Sequence, residues 1–232
     1  MSSNSAPTPS VQTADHPETQ TRRQKSAGSV FLFTALLWGF VVTAGLWWLS
    51  GYQNTPGTAL GSPRNWPANS RIQPARDEYT LVMLAHPHCP CTRASIGELA
   101  KIMTNAQGRM RAYVLFIQPA GSTPDWATTD LWESASQIPG VYAVKDQDAL
   151  EARHFNAATS GQTIVYDPQG QLVFSGGITA SRGHFGDNAG ESSIISIVNA
   201  QAPIQTETSV FGCPLFNSQS DCQVKIDENK HH

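Results

Sequence analysis

The chain has 232 residues, with 15 Lys and Arg against 18 Asp and Glu, for a formal net charge of -3. That length suits one globular domain with flanking segments, and the charge offers no basic field to gather phosphates, so nucleic acid is excluded as a partner. Charged residues are 14% of the chain, below the usual quarter, and part of the deficit lies in one run, Ser26 to Pro63, with no Asp, Glu, Lys or Arg.

Within that run Val30 to Leu49 is almost wholly apolar, about the 20 residues a helix needs to cross hydrocarbon. Trp47, Trp48 and Tyr52 gather at its C-terminal end, where amphipathic rings favour the headgroup layer. Arg22, Arg23 and Lys25 precede the span and the next basic residue is Arg64, so the positive-inside bias keeps the N-terminus cytoplasmic. The expectation is a single-pass protein of the cytoplasmic (inner) membrane with a periplasmic, extracytoplasmic C-terminal domain. The apolar run is too long for a cleaved signal peptide. The Arg22-Arg23 pair lacks the apolar residue of a twin-arginine signal. Residues 1–28, rich in Ser, Thr, Pro and Gln, read as a disordered cytoplasmic tail, and 29–50 as the transmembrane helix. Residues 51–76, with Pro56, Pro63, Pro67 and Pro74, read as an extended linker. The domain is expected over 77–203 and a cysteine-containing tail over 204–232.

Within the domain two periodicities alternate. Tyr79 to Ala85 is a short apolar run of buried-strand type, and Thr92 to Ala106 repeats Ile96, Leu99, Ala100 and Met103 at helical spacing. Arg111 to Ile117 is a second strand, Pro124 to Ile138 a helix, and Val141 to Val144 a third strand. Asp148 to Phe155 reads as a short helix. Thr163 to Tyr166 and Leu172 to Phe174 form a hairpin around the Asp167-Pro168-Gln169-Gly170 turn. Glu191 to Ala200 closes the domain as a helix before Pro203. The order βαβαβαββα predicts an α/β fold, a central mixed sheet flanked by helices.

The chemistry concentrates at His86-Pro87-His88-Cys89-Pro90-Cys91-Thr92. A thiolate is the reactive form of cysteine, and a helix N-terminus favours it through unsatisfied N–H groups and the helix dipole. Cys89 is placed for that, and an imidazolium from His86 or His88 would help. Cys91 would close a small strained ring with Cys89, and strain makes a disulfide easier to reduce. The pair is expected to emerge accessible and partly ionised where the first strand gives way to its helix. His154 and His184 read as surface or packing residues, and His231 and His232 as part of a frayed tail.

Cys213 and Cys222 follow the last predicted helix. One reading is a local disulfide that pins the tail. The other makes Cys213 a resolving or relay cysteine, with Val210-Phe211 and Leu215-Phe216 docking the tail beside Cys89. The Gly-rich loop Ser181 to Gly190 lacks the spacing of a phosphate loop; it is expected to border the cysteines, with Asp187 or Asn188 capping the final helix.

The element order, the cysteine pair directly after the first strand, and the run Phe155 to Gly170 resemble the thioredoxin-like superfamily, specifically its membrane-anchored TlpA/ResA-type thiol-disulfide oxidoreductases. The His86 to Ser95 run is also similar to the anchored RedB-like set. The resemblance covers roughly Glu78 to Gln201 and implies a thioredoxin-like fold, with Cys89 and Cys91 as a redox pair. The family's CxxC is contracted here to CxC, with Thr92 where the second cysteine would fall, and Gly161 stands where the family has a cis-proline. The expected function is thiol-disulfide exchange, with Cys89 attacking and Cys91 resolving, with no cofactor. Its partners would be protein thiols or disulfides and a redox partner the sequence does not identify. The alternative is copper binding or delivery through Cys89, Cys91, His86 and His88, since soft thiolates flanked by imidazoles suit Cu(I). A peroxidase is disfavoured because no peroxidatic threonine-cysteine pattern occurs.

Overall fold

The apolar part of the charge-free run lies in one helix, α1 (Glu18–Gln53), in the computed structural model, which describes residues 18–216 and their side chains from 28 onward. The chain divides into two units, Met1–Ser50 and Gly51–His232. Of α1, Gly28–Gln53 is long and apolar enough to cross a membrane, with none of it buried. Its 26 residues rise about 39 Å at 1.5 Å each, against roughly 30 Å of hydrocarbon. This helix fits a membrane anchor. It starts earlier than the expected 29, inside the stretch read as a disordered tail. Glu18, Gln20, Arg22, Arg23, Gln24 and Lys25 are good helix formers with no proline among them, so the helix continues outward from its apolar part. The rest of that tail lies outside the described residues.

The second unit carries the alternation the periodicities imply. Its elements are β1 (Tyr79–Ala85), α2 (Pro90–Ala106), β2 (Met110–Gln118), α3 (Asp130–Ser136) and β3 (Val141–Gln147), then α4 (Leu150–His154), β4 (Thr163–Tyr166), β5 (Leu172–Gly176) and α5 (Ala189–Val198). The sheet order is β3-β2-β1-β4-β5. β1 pairs parallel with β2 and β2 with β3, while β4 runs antiparallel to both β1 and β5. The helix expected over 124–138 is shorter, because residues 123–129 close as turns first, with the Trp126 amide donating to Thr123 and the Thr128 amide to Asp125. In the hairpin turn the Asp167 carboxylate accepts from the amides of Gln169 and Gln171, the side-chain mechanism that makes Asp a turn residue.

β1 lies at the centre with both faces apolar. Leu81, Met83 and Ala85 point to a core shared with Ile96, Leu99 and Ile102 of α2 and Ile194 of α5, while Val82 and Leu84 point to a second core with Phe155, Ile164 and Tyr166. Each such fully buried side chain contributes about 1.5–3 kcal/mol. The second face has only the short α4 from the helices, and irregular chain completes the cover. Trp66 stacks edge-on against Phe155 and Tyr166, and Ile72 and Leu215 are buried beside them.

The segment read as a linker is therefore held to the domain along much of its length. The Trp66 amide donates to Gly170, the Leu172 amide to Arg64, and the buried Glu151 carboxylate accepts from the Ser70 hydroxyl and the Arg71 amide. Residues 51–53 continue α1, and beyond them the prolines keep the segment out of regular helix and strand, while Trp66 and Ile72 supply the apolar cover that α4 is too short to give. Residues 204–216, the described part of the expected tail, form a strap. The Ser175 amide of β5 donates to Thr206 and the Thr208 amide returns to Ser175. The strap then runs to a bridge between Pro214 and Thr159.

Candidate functional site

β1 ends at Ala85, and after three intervening residues the chain enters α2 through Cys89, which holds the N-cap position in extended conformation. Pro90 occupies the first helical turn, where its missing N–H is no loss and its fixed φ fits a helix. The turn is closed by the Cys89 amide donating to His86 and the Thr92 amide donating to Cys89. The Cys-Pro-Cys spacing thus sets two sulfurs at the head of a 17-residue helix, where unsatisfied amides gather.

A third sulfur arrives from the strap. Sγ of Cys213 lies 2.7 Å from Sγ of Cys89, and both are free cysteines. The strap backbone is pinned on both sides of this contact. The Ser160 amide donates to the Cys213 carbonyl at 2.8 Å and the Leu215 amide to Ala158 at 2.9 Å. At Gly212 a Cβ would collide with the Ser160 carbonyl oxygen, so glycine is what lets the two backbones approach. Arg182 donates from its guanidinium to the Gly212 carbonyl. The strap covers Cys89, which is only 1% exposed. That corrects the expectation of an accessible sulfur: Cys89 is at the predicted junction but closed over, and Cys91, half-buried, is the more open of the pair.

The three thiols are driven apart in acidity. Burial pushes the Cys89 thiol up, but the Cys213 side chain and the backbone amides of Cys213, Cys91 and Thr92 outweigh it, and Cys89 lies below its ordinary value. Cys91 is raised, by burial first and then by the neighbouring Cys89 charge, against the pull of Arg182 and the Gly183 amide. Cys213 is pushed up to about 12 by burial, by its bond to Cys89 and by the charges of Cys89 and Cys91. Of the two facing thiols Cys89 is therefore the more readily ionised and Cys213 the one that keeps its proton longer.

The polar groups beneath the sulfurs form one network. The Thr92 hydroxyl donates to the His86 carbonyl, and its oxygen lies 2.8 Å from that of Ser160, which in turn accepts from the His86 amide. Gly161, with φ of +88°, donates its amide to Leu84 of β1, and a Cβ there would press on the Ser95 hydroxyl. His86 and His88 turn onto Trp126, with ring centroids 5.5 and 4.7 Å away. Nδ1 of His86 accepts from the His88 amide, and burial, then the neighbouring His88, lowers the His86 pKa. The acidity of Cys89 thus has its source in amides and a thiol rather than in the imidazolium considered from the sequence.

No protein-family model matches the chain, and no curated protein matches it in sequence. Solved structures do match. A hypothetical protein from Sinorhizobium meliloti superposes with a TM-score of 0.56 at 16% identity, covering 71% of this chain and 99% of that one. An uncharacterized conserved protein from Geobacillus kaustophilus gives 0.53 at 15% identity, covering 72% and 92%. A pneumococcal exposed lipoprotein thioredoxin from Streptococcus pneumoniae gives 0.38 at 14%, covering 54% and 86%. The fold is read from the chain's own topology, a parallel βαβ half and an antiparallel hairpin joined in one sheet of order β3-β2-β1-β4-β5 with helices against it. The domain has a thioredoxin-like fold.

Within that thioredoxin-like domain the structure brings Cys89, Cys91, Thr92, Gly161 and Cys213 to one place, with His86 and His88 on its rim, while Cys222 lies outside the described residues. His154 is half-buried beside Glu151, and His184 is exposed. The Gly-rich loop does border the cysteines, through Arg182 and Gly183, and Asn188 caps α5 by accepting from the Glu191 amide. Sequence reasoning missed Ser160, Arg182 and Glu98. Glu98, fully buried in α2, accepts from the Gly186 amide and so fastens the loop. Its signal was a carboxylate between Gly97 and Leu99 on the helix face that repeats apolar residues. Among the described residues no group of three or more His, Cys, Asp or Glu side chains is arranged to hold a metal ion.

Proposed function

We propose that this chain is a membrane-anchored thiol-disulfide oxidoreductase, held by α1 with its N-terminus cytoplasmic and its thioredoxin-like domain on the periplasmic side. The Cys89 thiolate attacks one sulfur of a protein disulfide, forms a mixed disulfide and expels the other sulfur as a thiolate. Cys91 then attacks Cys89 and releases the second substrate thiol. Two electrons pass from the cysteine pair to the substrate, and an external dithiol partner restores the pair. The reading is carried by one observation: the Cys89 sulfur stands at the head of α2, where the Cys213 side chain and backbone amides hold its pKa below the ordinary thiol value despite burial. Such a sulfur is built as a nucleophile and leaving group.

Exchange measured on the full chain in detergent, with a dithiol reductant and a protein disulfide, tests it. Cys89→Ser is expected to lose exchange by about a hundredfold or more, because the hydroxyl is not ionised at neutral pH. Wild-type rates in that variant would refute the assignment.

The second reading, Cu(I) capture, is favoured by the sulfurs alone, since two thiols face each other here and soft ligands select that ion. Stoichiometric copper in reduced, anaerobically purified full chain would favour delivery over exchange.

A further inference from the structure

The attack mechanism uses Cys89 and Cys91 and leaves Cys213 without a role, although the strap holds it firmly in place. Its carbonyl is bonded to the Ser160 amide, and the next residue but one is bonded to Ala158. The buried Leu215 and Val210 anchor the strap on either side. Between these anchors the two sulfurs stand 2.7 Å apart, against about 2.05 Å when bonded. A disulfide between residues two apart must close its ring through Pro90, whereas 89 and 213 are already presented to each other by separate stretches of chain.

We propose that Cys213 is a second resolving cysteine of this site, alongside Cys91. The inference rests on the exchange reading above and deepens it. After Cys89 has taken a substrate sulfur as a mixed disulfide, the Cys213 thiolate attacks Sγ of Cys89. The Cys89-to-substrate S–S bond breaks, the substrate leaves as a thiolate, and a Cys89-Cys213 disulfide forms. The two electrons that reduced the substrate disulfide have come from Cys89 and Cys213. No further oxidant enters. Cys91 can then attack Cys89 in turn, giving the 89-91 disulfide and freeing Cys213, an isomerisation in which no electrons are gained or lost.

The order of events follows from the electrostatics. Cys213 is pushed up by burial and then by its bond to Cys89 and the charge on it. Both of the latter contributions vanish once Cys89 is a neutral mixed disulfide, while Arg182 continues to favour the anion. The strap thiol is thus a proton donor before attack and becomes easier to ionise at the step that needs a nucleophile.

The test is disulfide mapping of full chain treated with oxidised glutathione as the substrate probe. Trypsin leaves Cys89 and Cys91 in one peptide, Asp77 to Arg93, and Cys213 and Cys222 in another, Gly183 to Lys225. A Cys91→Ser, Cys222→Ser double variant therefore permits only one intramolecular link, which would join the two peptides. Formation of that link, with loss of glutathione from Cys89 at a rate within roughly tenfold of wild type, is the expected result. Adding Cys213→Ser should abolish the link and leave the glutathione adduct on Cys89. Persistence of the adduct in the double variant with Cys213 intact would overturn the proposal, as would a 213-222 link as the sole product involving Cys213 in wild type. Either failure leaves the primary reading standing, since the adduct itself reports attack by Cys89. Absence of any adduct would instead remove both.

Discussion

The two segments that meet at the sulfurs solve opposite problems. The head of α2 is regular and local: Cys89, Pro90, Cys91 and Thr92 lie within one turn, and helix geometry directs the Cys91 and Thr92 amides at the Cys89 sulfur. The strap has neither helix nor strand; it is held by hydrogen bonds to residues 158–160 and by Leu215 in the core. One segment yields a thiol whose pKa lies below its ordinary value and the other a thiol pushed up to about 12. Burial raises both thiols; what separates them is that Cys89 is favoured by hydrogen bonding, from the Cys213 side chain first and then from backbone amides, while the same contact raises Cys213.

Lifting the strap is the strongest way to break this pairing. Gly212→Ala places a methyl against a backbone oxygen that cannot swing aside, so the strap should leave its seat, at a cost of about 1–3 kcal/mol by overpacking. Urea melts of the domain signal should register that loss. Iodoacetamide labelling of Cys89 should quicken by about tenfold as its cover opens. Unchanged labelling would mean the strap does not shield the sulfur.

Ser160→Ala strikes both segments, since its hydroxyl bonds the His86 amide and the Thr92 hydroxyl while its amide holds Cys213. Leaving the His86 amide unpaired should cost about 1–2 kcal/mol. The same melts should detect this, with a smaller rise in labelling than Gly212→Ala gives.

Much of this arrangement was legible from short-range pattern. The seven-residue apolar run at β1, the Asp167 turn and the proline after Cys89 each act within a few residues, so sequence spacing reports them directly. What escaped depends on contacts distant in the chain. The apolar residues around Cys213 suggested docking beside Cys89 as one of two readings, but nothing local to either cysteine chose between them, and nothing announced that Ser160 bonds beneath the sulfurs. The packing of 51–76 had a weak signal in Trp66 and Ile72, isolated apolar residues among prolines, which pay off only because α4 spans five residues and leaves a face bare. Glu98 had a similar one, a carboxylate at a core position of α2.

A milder perturbation destabilises the domain without touching either sulfur or the strap. Asn188→Ala, which removes the cap of α5, should cost about 1 kcal/mol and leave Cys89 labelling unchanged, serving as a control remote from the sulfurs.

The smallest effect is on pH. A thiol held low contributes stability above its unfolded value of 9.0, and that contribution fades as pH falls through the folded value. Cys213, raised, has the opposite sign: its protonated form favours folding below 9.0 and that advantage is lost as pH climbs toward about 12. Cys213→Ala should therefore move the labelling inflection of Cys89 to higher pH. An inflection that does not move would assign the acidity of Cys89 to the helix amides alone.

The strap has a further consequence at the far side of the sheet. β5 is the terminal strand, and the bonds between Ser175 and residues 206 and 208 occupy polar groups on its open margin. Unpaired margins of this kind recruit neighbouring molecules through intermolecular strand addition. Stripping residues 204–232 from the chain should therefore do more than remove a sulfur: it should leave a template for self-association, visible as oligomers in sedimentation.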